Sequence, residues 1–248
     1  MRHLLFVASL LASSLAPAAP DAACDFDVFK ARGRLLYADD FAPRADGPLA
    51  ADSRWLAEIA PKPGSSVTIS QGRLLLDTAG GVTVWLDLEL PATGYLIEYR
   101  RRVVLAGGPN DRLSDLNQFW QASDPRQPGR PPFGRDGVFE SYDDLQLYYV
   151  GMGGNSNTST RLRKYEGGER RLLQEHGDAA HLLDANRDYL VQTHVARDGR
   201  QSFCVDGRLF FSFTDPQPLK AGYFGLRSTW SRQQVWGFKL VAETTPQK

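Results

Sequence analysis

Helical periodicity is weak throughout this 248-residue sequence, and no repeat or low-complexity block interrupts it, which excludes a coiled coil or a repeat array. An excess of charge is missing too. Lys+Arg and Asp+Glu both number 29, so no overall field draws nucleic acid or an anionic membrane surface. No apolar run reaches the ~20 residues of a membrane span. Cysteine is scarce: Cys24 and Cys204 are the whole set. In an oxidising compartment a bridge between them is permitted and would tie the N-terminal segment to a late strand; two unrelated thiols are the alternative.

Hydrolase, nucleotide and metal motifs are also lacking. There is no GxSxG elbow. The glycine run Gly151-Met152-Gly153-Gly154 lacks the dinucleotide spacing, and no Lys-Ser/Thr follows it. His176, His181 and His194 show no ligand spacing, so no metal site and no cofactor is expected. Asp111, Asp115 and the nearby asparagines offer the oxygen ligands that a structural calcium takes, but their spacing does not require one. A retaining glycosidase needs two carboxylates about 5 Å apart. Glu140, Asp143 and Asp144 are close in sequence but not at the alternating spacing of one strand face, and read as a charged loop.

What is present is a processing signal followed by many short strands. Arg2 and His3 precede a mostly apolar run, Leu4 to Leu15, and Ala16-Pro17-Ala18 fits a small-residue cleavage site. Residues 1–18 therefore read as a signal peptide, and the expected location is periplasmic or secreted. A lipoprotein at Cys24 is the disfavoured alternative, because Asp21 stands where an aliphatic residue is wanted. Residues 19–34 read as a leader, 35–242 as one domain and 243–248 as a polar tail. Gln71-Gly72, Asp198-Gly199 and Asp206-Gly207 are turn dipeptides between β-rich runs. Short strands separated by turns predict an all-β sandwich or barrel. One stretch, Gly107 to Phe139, breaks the rhythm with five prolines. Within it, Asp115 to Trp120 reads as a strand flanked by ordered loops, and long ordered loops are usually functional.

Polar and aromatic side chains gather in three places: Gly107 to Trp120, Tyr148 to Asn157, and Thr160 to Tyr165. Strand alternation puts Arg161, Arg163 and Tyr165 on one face, and Gln146, Tyr148 and Val150 on one face of their own strand. Aromatic rings stack on sugar C–H surfaces, while Asn, Asp and Arg bond hydroxyls and carboxylates. β-Elimination at a uronic acid needs a group to neutralise the carboxylate and a base, and Arg, Asn and Tyr can supply both. The expected catalytic set is Tyr148, Arg161, Arg163 and Asn117. The expected substrate contacts are Asn110, Asp111, Arg112, Asp115, Trp120, Gln146, Asn155, Asn157 and Tyr165, with Trp120 as a stacking platform.

Those three blocks, together with Leu36-Tyr37-Ala38-Asp39-Asp40-Phe41 and Asp206-Gly207…Asp215-Pro216, resemble bacterial concanavalin A-like domains labelled rhamnogalacturonan endolyase-like. The resemblance runs from about Leu35 to Leu240. It implies a two-sheet jelly roll and an association with the breakdown of acidic, rhamnose-containing polysaccharide, and it brings no catalytic set to carry over. The expected function is thus a polysaccharide lyase acting, as a monomer, on an acidic polysaccharide or oligosaccharide. The alternatives are a non-catalytic carbohydrate-binding protein using the same face, a glycoside hydrolase, and a purely structural envelope domain.

Overall fold

The computed structural model describes residues 23–244. The proposed signal peptide and the end of the polar tail lie outside them. Sixteen strands build two antiparallel sheets. The nine-stranded sheet contains β1 (Arg34–Asp39), β2 (Gly47–Pro48), β4 (Ser66–Ser70), β5 (Arg73–Thr78), β7 (Tyr95–Val103), β12 (Asp188–Val195), β13 (Arg200–Val205), β14 (Arg208–Thr214) and β16 (Ser231–Ala242). The seven-stranded sheet has the order β11-β10-β9-β8-β15-β6-β3. Its members are β3 (Trp55–Ile59), β6 (Val82–Leu90), β8 (Leu116–Ser123), β9 (Gln146–Gly153), β10 (Ser159–Glu166), β11 (Arg170–His176) and β15 (Gly222–Ser228). The expected all-β sandwich is what the chain forms. No helix among the described residues is long and apolar enough to cross a membrane.

Alternation decides which side chains meet between the sheets. Leu74 and Leu76 of β5, Val84 and Leu86 of β6, Val150 and Met152 of β9, and Leu162 of β10 all enter one core cluster. Each occupies every second position of its strand, as a pleated ribbon requires. The strand expected in the proline-rich stretch is β8. The hairpin at Gln71-Gly72 forms, with φ of 51° and 67°, and Asp206-Gly207 does likewise at 51° and 76°. Asp198-Gly199 differs: only Gly199 takes positive φ. It closes a four-residue connection between β12 and β13 rather than a two-residue turn.

The predicted leader is in fact docked on the domain. Its helix α1 (Asp27–Arg32) lies on the outer face of the nine-stranded sheet. There Phe26 and Phe29 pack on the His194 ring at 5.0 Å each, and Lys30 pairs with Glu98. His194 is thereby taken up in packing; burial, then the nearby Arg200 charge, pushes its pKa down. Cys24 is bridged to Cys204, and its backbone N–H donates to the Gly207 carbonyl.

A buried cation braces the seven-stranded sheet from its core side. Arg101 of β7 is fully buried. Its guanidinium crosses the core to donate to the carbonyls of Asn117 (2.7 Å) and Arg227 (2.9 Å) and to the Gln233 side chain. Burial is the main influence on it and lowers its pKa. A cation taken from water in this way is retained only where its donors are satisfied. Here it clamps β8 to β15 at the two residues whose side chains leave the sheet on the other face.

Candidate active site

Register across the seven-stranded sheet lines up one polar row on its outer face. It runs Glu58, Thr83, Arg227, Asn117, Gly151, Arg161, Glu175, each paired with the next. The adjacent row is aromatic: Trp85, Gly225, Phe119 and Tyr149, followed by Arg163. Proline-rich segment 124–145 covers part of the aromatic row. Phe133 packs on Trp85, Tyr142 on Phe119 and Phe139 on Tyr149. Glu58 holds this cover in place. Its carboxylate accepts from Trp85 Nε1 (2.9 Å), Tyr142 OH (2.6 Å) and the backbone N–H groups of Gly134 (2.6 Å) and Arg135 (3.0 Å).

Where the cover ends, a cavity of about 240 Å³ opens over the polar row. Arg112, Asp115, Phe139, Tyr149, Gly151, Asn155, Ser159, Arg161 and Arg163 line it, with Gly154 and Thr229. Gly151 is needed here for space: a Cβ at that position would lie 2.3 Å from the Tyr149 hydroxyl oxygen. The absence of a side chain lets that hydroxyl lie over the middle of the row.

The rim is strained. Asp115 (φ 66°), Asn155 (52°), Ser156 (59°) and Asn157 (63°) all sit in the left-handed region, each at a cost of about 1–3 kcal/mol. They are held by side chains. Asn157 Oδ1 accepts from Leu183 N, its Nδ2 donates to Leu183 O, and Arg112 Nη2 donates to Ser156 Oγ. Strain stored in this way clusters at functional sites.

The electrostatics favour an anion. Four guanidiniums (Arg112, Arg161, Arg163, Arg227) face three carboxylates, Asp115, Glu58 and Glu175. Arg112 pairs with Asp115 at 3.0 Å and Arg161 with Glu175 at 2.8 Å. Arg163 and Arg227 have no carboxylate partner among the described residues. Arg227 donates only to Thr83 Oγ1 and the Gly137 carbonyl. Several buried polar atoms have no partner among the described residues: both side-chain ends of Asn117, Arg163 Nε, Ser159 Oγ, Tyr165 OH, and Nε and Nη2 of Arg227. Each such group costs about 1–3 kcal/mol, and so many on one face call for a function.

Burial also sets the proton affinities. It pushes the Tyr149 hydroxyl well up, helped by Tyr165 and Asp115, against the pull of Arg227 and Arg163. Tyr165 is pushed up to about 12, again chiefly by burial. Burial raises the pKa of Asp115, against the pull of the Arg112 charge. Among the described residues Asp115 is the only carboxylate in the cavity lining.

Of the residues expected from sequence, Arg112, Asp115, Asn155, Arg161 and Arg163 line this cavity, and Asn117 lies in the row beneath it. Tyr165 shares the outer face but is fully buried among the aromatics. Tyr148 does not belong here. It faces the core, stacks on Trp120 at 5.5 Å and donates to Asp215 Oδ2 at 2.7 Å, and Asp215 in turn pairs with Lys164. Trp120 is likewise a core residue, donating to Gln201 Oε1, and is no stacking platform. Asn110 ties down a loop through Gly64 O and Asp77, and Asn157 is the Leu183 clamp. Asp111 accepts from the N–H groups of Ala106 and Gly108 and pairs with Arg232. Both carboxylates suggested for calcium thus face guanidiniums. Gln146 lines a separate hollow with Lys164 and Gln217.

Tyr149 takes the place expected for Tyr148, and Arg227, Phe139 and Ser159 join the site unforeseen. A signal for Arg227 was present: Phe224 and Leu226 read as core positions, which turns Arg227 outward. Opposite faces give neighbouring tyrosines opposite phenotypes. Tyr148→Phe should lower stability by about 1–3 kcal/mol, since Asp215 loses a buried donor. It should leave ligand affinity intact. Tyr149→Phe should keep its melting temperature and weaken ligand binding or turnover. Thermal unfolding measured beside calorimetric titration separates the two.

Comparison with known proteins agrees with the fold. A protein of unknown function with a galectin-like fold from Bacillus subtilis matches with a TM-score of 0.63 at 16% identity, over 86% of this chain and 99% of that one. The carbohydrate-binding module CBM66 from Bacillus subtilis matches at 0.52 and 13% identity, over 79% and 100%. An endo-β-1,3-glucanase from Pyrococcus furiosus matches at 0.58 and 10% identity, over 86% and 95%. These likenesses establish the jelly-roll sandwich. No curated protein matches the chain in sequence. One family model does, across residues 76–238 and hence nearly every strand of the site: the chain belongs to the family described as Domain of unknown function (DUF6250).

Proposed function

We propose that the protein holds a uronic-acid-containing glycan in the arginine-lined cavity and cleaves it by β-elimination. The observation that carries this reading is the set of buried, unpartnered donors around the cavity, above all the Asn117 amide and Arg163 Nε. A sugar carboxylate seated there would satisfy them with charge-assisted hydrogen bonds. The resemblance to rhamnogalacturonan endolyase-like domains and the glycan-handling names of two proteins of this fold support a sugar ligand. The Cys24–Cys204 bridge supports export to an oxidising compartment.

In this reaction Arg163, Arg161 and Asn117 neutralise the uronate carboxylate, so that the neighbouring C–H becomes acidic. Asp115 accepts that proton. The electron pair forms the new C=C bond, the C–O bond to the departing sugar breaks, and Tyr149 donates a proton to the leaving oxygen. Tyr149 is protonated at neutral pH, and the charges of Arg227 and Arg163, which oppose the rise in its pKa, would stabilise the tyrosinate left when it gives up the proton; a carboxylate with a raised pKa is a better base than an ordinary one. A double-displacement hydrolase would need a second carboxylate, and the lining has only Asp115.

The test is incubation of the purified protein with polygalacturonate and rhamnogalacturonan while following the ultraviolet absorbance of unsaturated uronate. The absorbance should grow, and the rate should fall as pH drops through the raised pKa of Asp115, at a higher pH than an ordinary carboxylate would give. Saturable binding with no absorbance would leave a carbohydrate-binding protein. New reducing ends without absorbance would mean a hydrolase.

A further inference from the structure

Beside the arginine cavity lies a second hollow of about 480 Å³, which shares Arg112, Phe139 and Thr229 with it. The two hollows are neighbours. Gly80 and Trp230 line the second, whose charged residues are Lys62, Arg112 and Glu140. Trp230 is 43% exposed, the only aromatic among the large exposed hydrophobic side chains of the described residues. Leaving an indole in water forgoes a large apolar burial, so its position next to a polar cavity requires an explanation.

The turn that carries the ring is also held in place. Trp230 lies in the turn between β15 and β16, closed by a hydrogen bond between Ser228 Oγ and Ser231 Oγ at 2.7 Å. Gln233 Nε2 donates to Ser231 Oγ, and Arg112 Nη1 donates to the Trp230 carbonyl. A platform fixed in advance loses little entropy when a ligand arrives. Two cations stand over the indole: Arg112 Cζ at 5.4 Å and Lys62 Nζ at 5.8 Å from its centroid. Lys62 has no ion-pair partner among the described residues. A neutral sugar would need the ring alone; an indole flanked by cations suits a ring that is apolar on its C–H face and anionic at its edge.

We propose that this hollow is a second sugar subsite, in which Trp230 stacks on a pyranose ring while Lys62 and Arg112 take that ring's acid group. The preferred ligand is then a run of adjacent acidic sugars rather than a single uronate in a neutral chain. This deepens the function proposed above and rests on it, since the first sugar must occupy the arginine cavity.

The experiment compares affinities for galacturonic acid and its tetramer by calorimetry, in the wild type and in Trp230→Ala and Lys62→Ala. Both positions are at the surface, and a melting curve checks that each variant is folded. The wild type should bind the tetramer at least about tenfold more tightly than the monomer, a difference of about 1.4 kcal/mol. In both variants that ratio should fall toward unity, and Trp230→Phe should recover part of it. A wild-type ratio near one, or a ratio untouched in both variants, overturns the second subsite while leaving the first cavity standing. Equal chain-length gain with a neutral glucose tetramer overturns its acidic preference. No binding of either galacturonate by the wild type overturns the cavity and the subsite together.

Discussion

Arg163→Ala should weaken binding of an acidic oligosaccharide by about 100-fold, or about 2.7 kcal/mol, without lowering the melting temperature. The two halves of this expectation have one origin. Among the described residues Arg163 has no ion-pair partner, and its buried Nε has no hydrogen-bond partner. Folding therefore gains nothing from its charge and bears the cost of its desolvation. Alanine removes that burden, so stability should hold or rise. The ligand loses a guanidinium that no other residue has neutralised. Arg161 is a useful contrast, because its pairing with Glu175 already spends part of its charge; Arg161→Ala should weaken binding less. Calorimetric titration and thermal unfolding of the two variants check both points. A drop in stability at Arg163→Ala with unchanged affinity would mean that the side chain serves packing.

Glu58→Ala should be among the most destabilising single changes near the site, at about 3–5 kcal/mol. Glu58 is buried and accepts from four donors, two of them backbone N–H groups of segment 124–145. Alanine leaves the indole N–H of Trp85, the Tyr142 hydroxyl and both N–H groups without an acceptor. For a domain of this size such a loss lowers the melting temperature by about 10 °C. The segment should detach first, since its aromatic contacts lie on the face that Glu58 anchors. Limited proteolysis should therefore cut within 124–145 in the variant at protease levels the wild type resists, and affinity should fall because Phe139 lines the cavity. Glu58→Gln, which keeps an acceptor for part of the set, should recover part of both. Uniform proteolysis across the chain would show that the carboxylate supports the whole sandwich rather than this cover.

Much of the fold was legible because its determinants are local. Gly72 and Gly207 announce turns that need positive φ, and Leu74 with Leu76 or Val82 with Val84 announces a buried face. The site was legible only in part. Within β10 the alternation correctly grouped Arg161, Arg163 and Tyr165. Within β9 it separated Tyr148 from Tyr149, but it did not say which of them joins the arginines. That depends on cross-strand register, which pairs Tyr149 with Arg163 and Tyr148 with Lys164, and register is a property of two strands together. A hint lay nearby: Val150 and Met152 share a face with Tyr148, and apolar neighbours mark a core face. Asn110, Asp111 and Asn157 misled for another reason. Short polar side chains in loops bond backbone as readily as ligand, and composition alone does not distinguish the two. Arg101 escaped notice because nothing local says that a guanidinium will cross the core to hold Asn117 and Arg227 from behind.

The most direct test is a crystal structure of the protein soaked with a galacturonate oligomer. A sugar carboxylate should lie within hydrogen-bond distance of Arg163 and the Asn117 amide, with the Tyr149 hydroxyl on the glycosidic oxygen. Ordered sugar on the other sheet or in the Gln146 hollow, with the groups around Arg163 left bare, would contradict the assignment of this face.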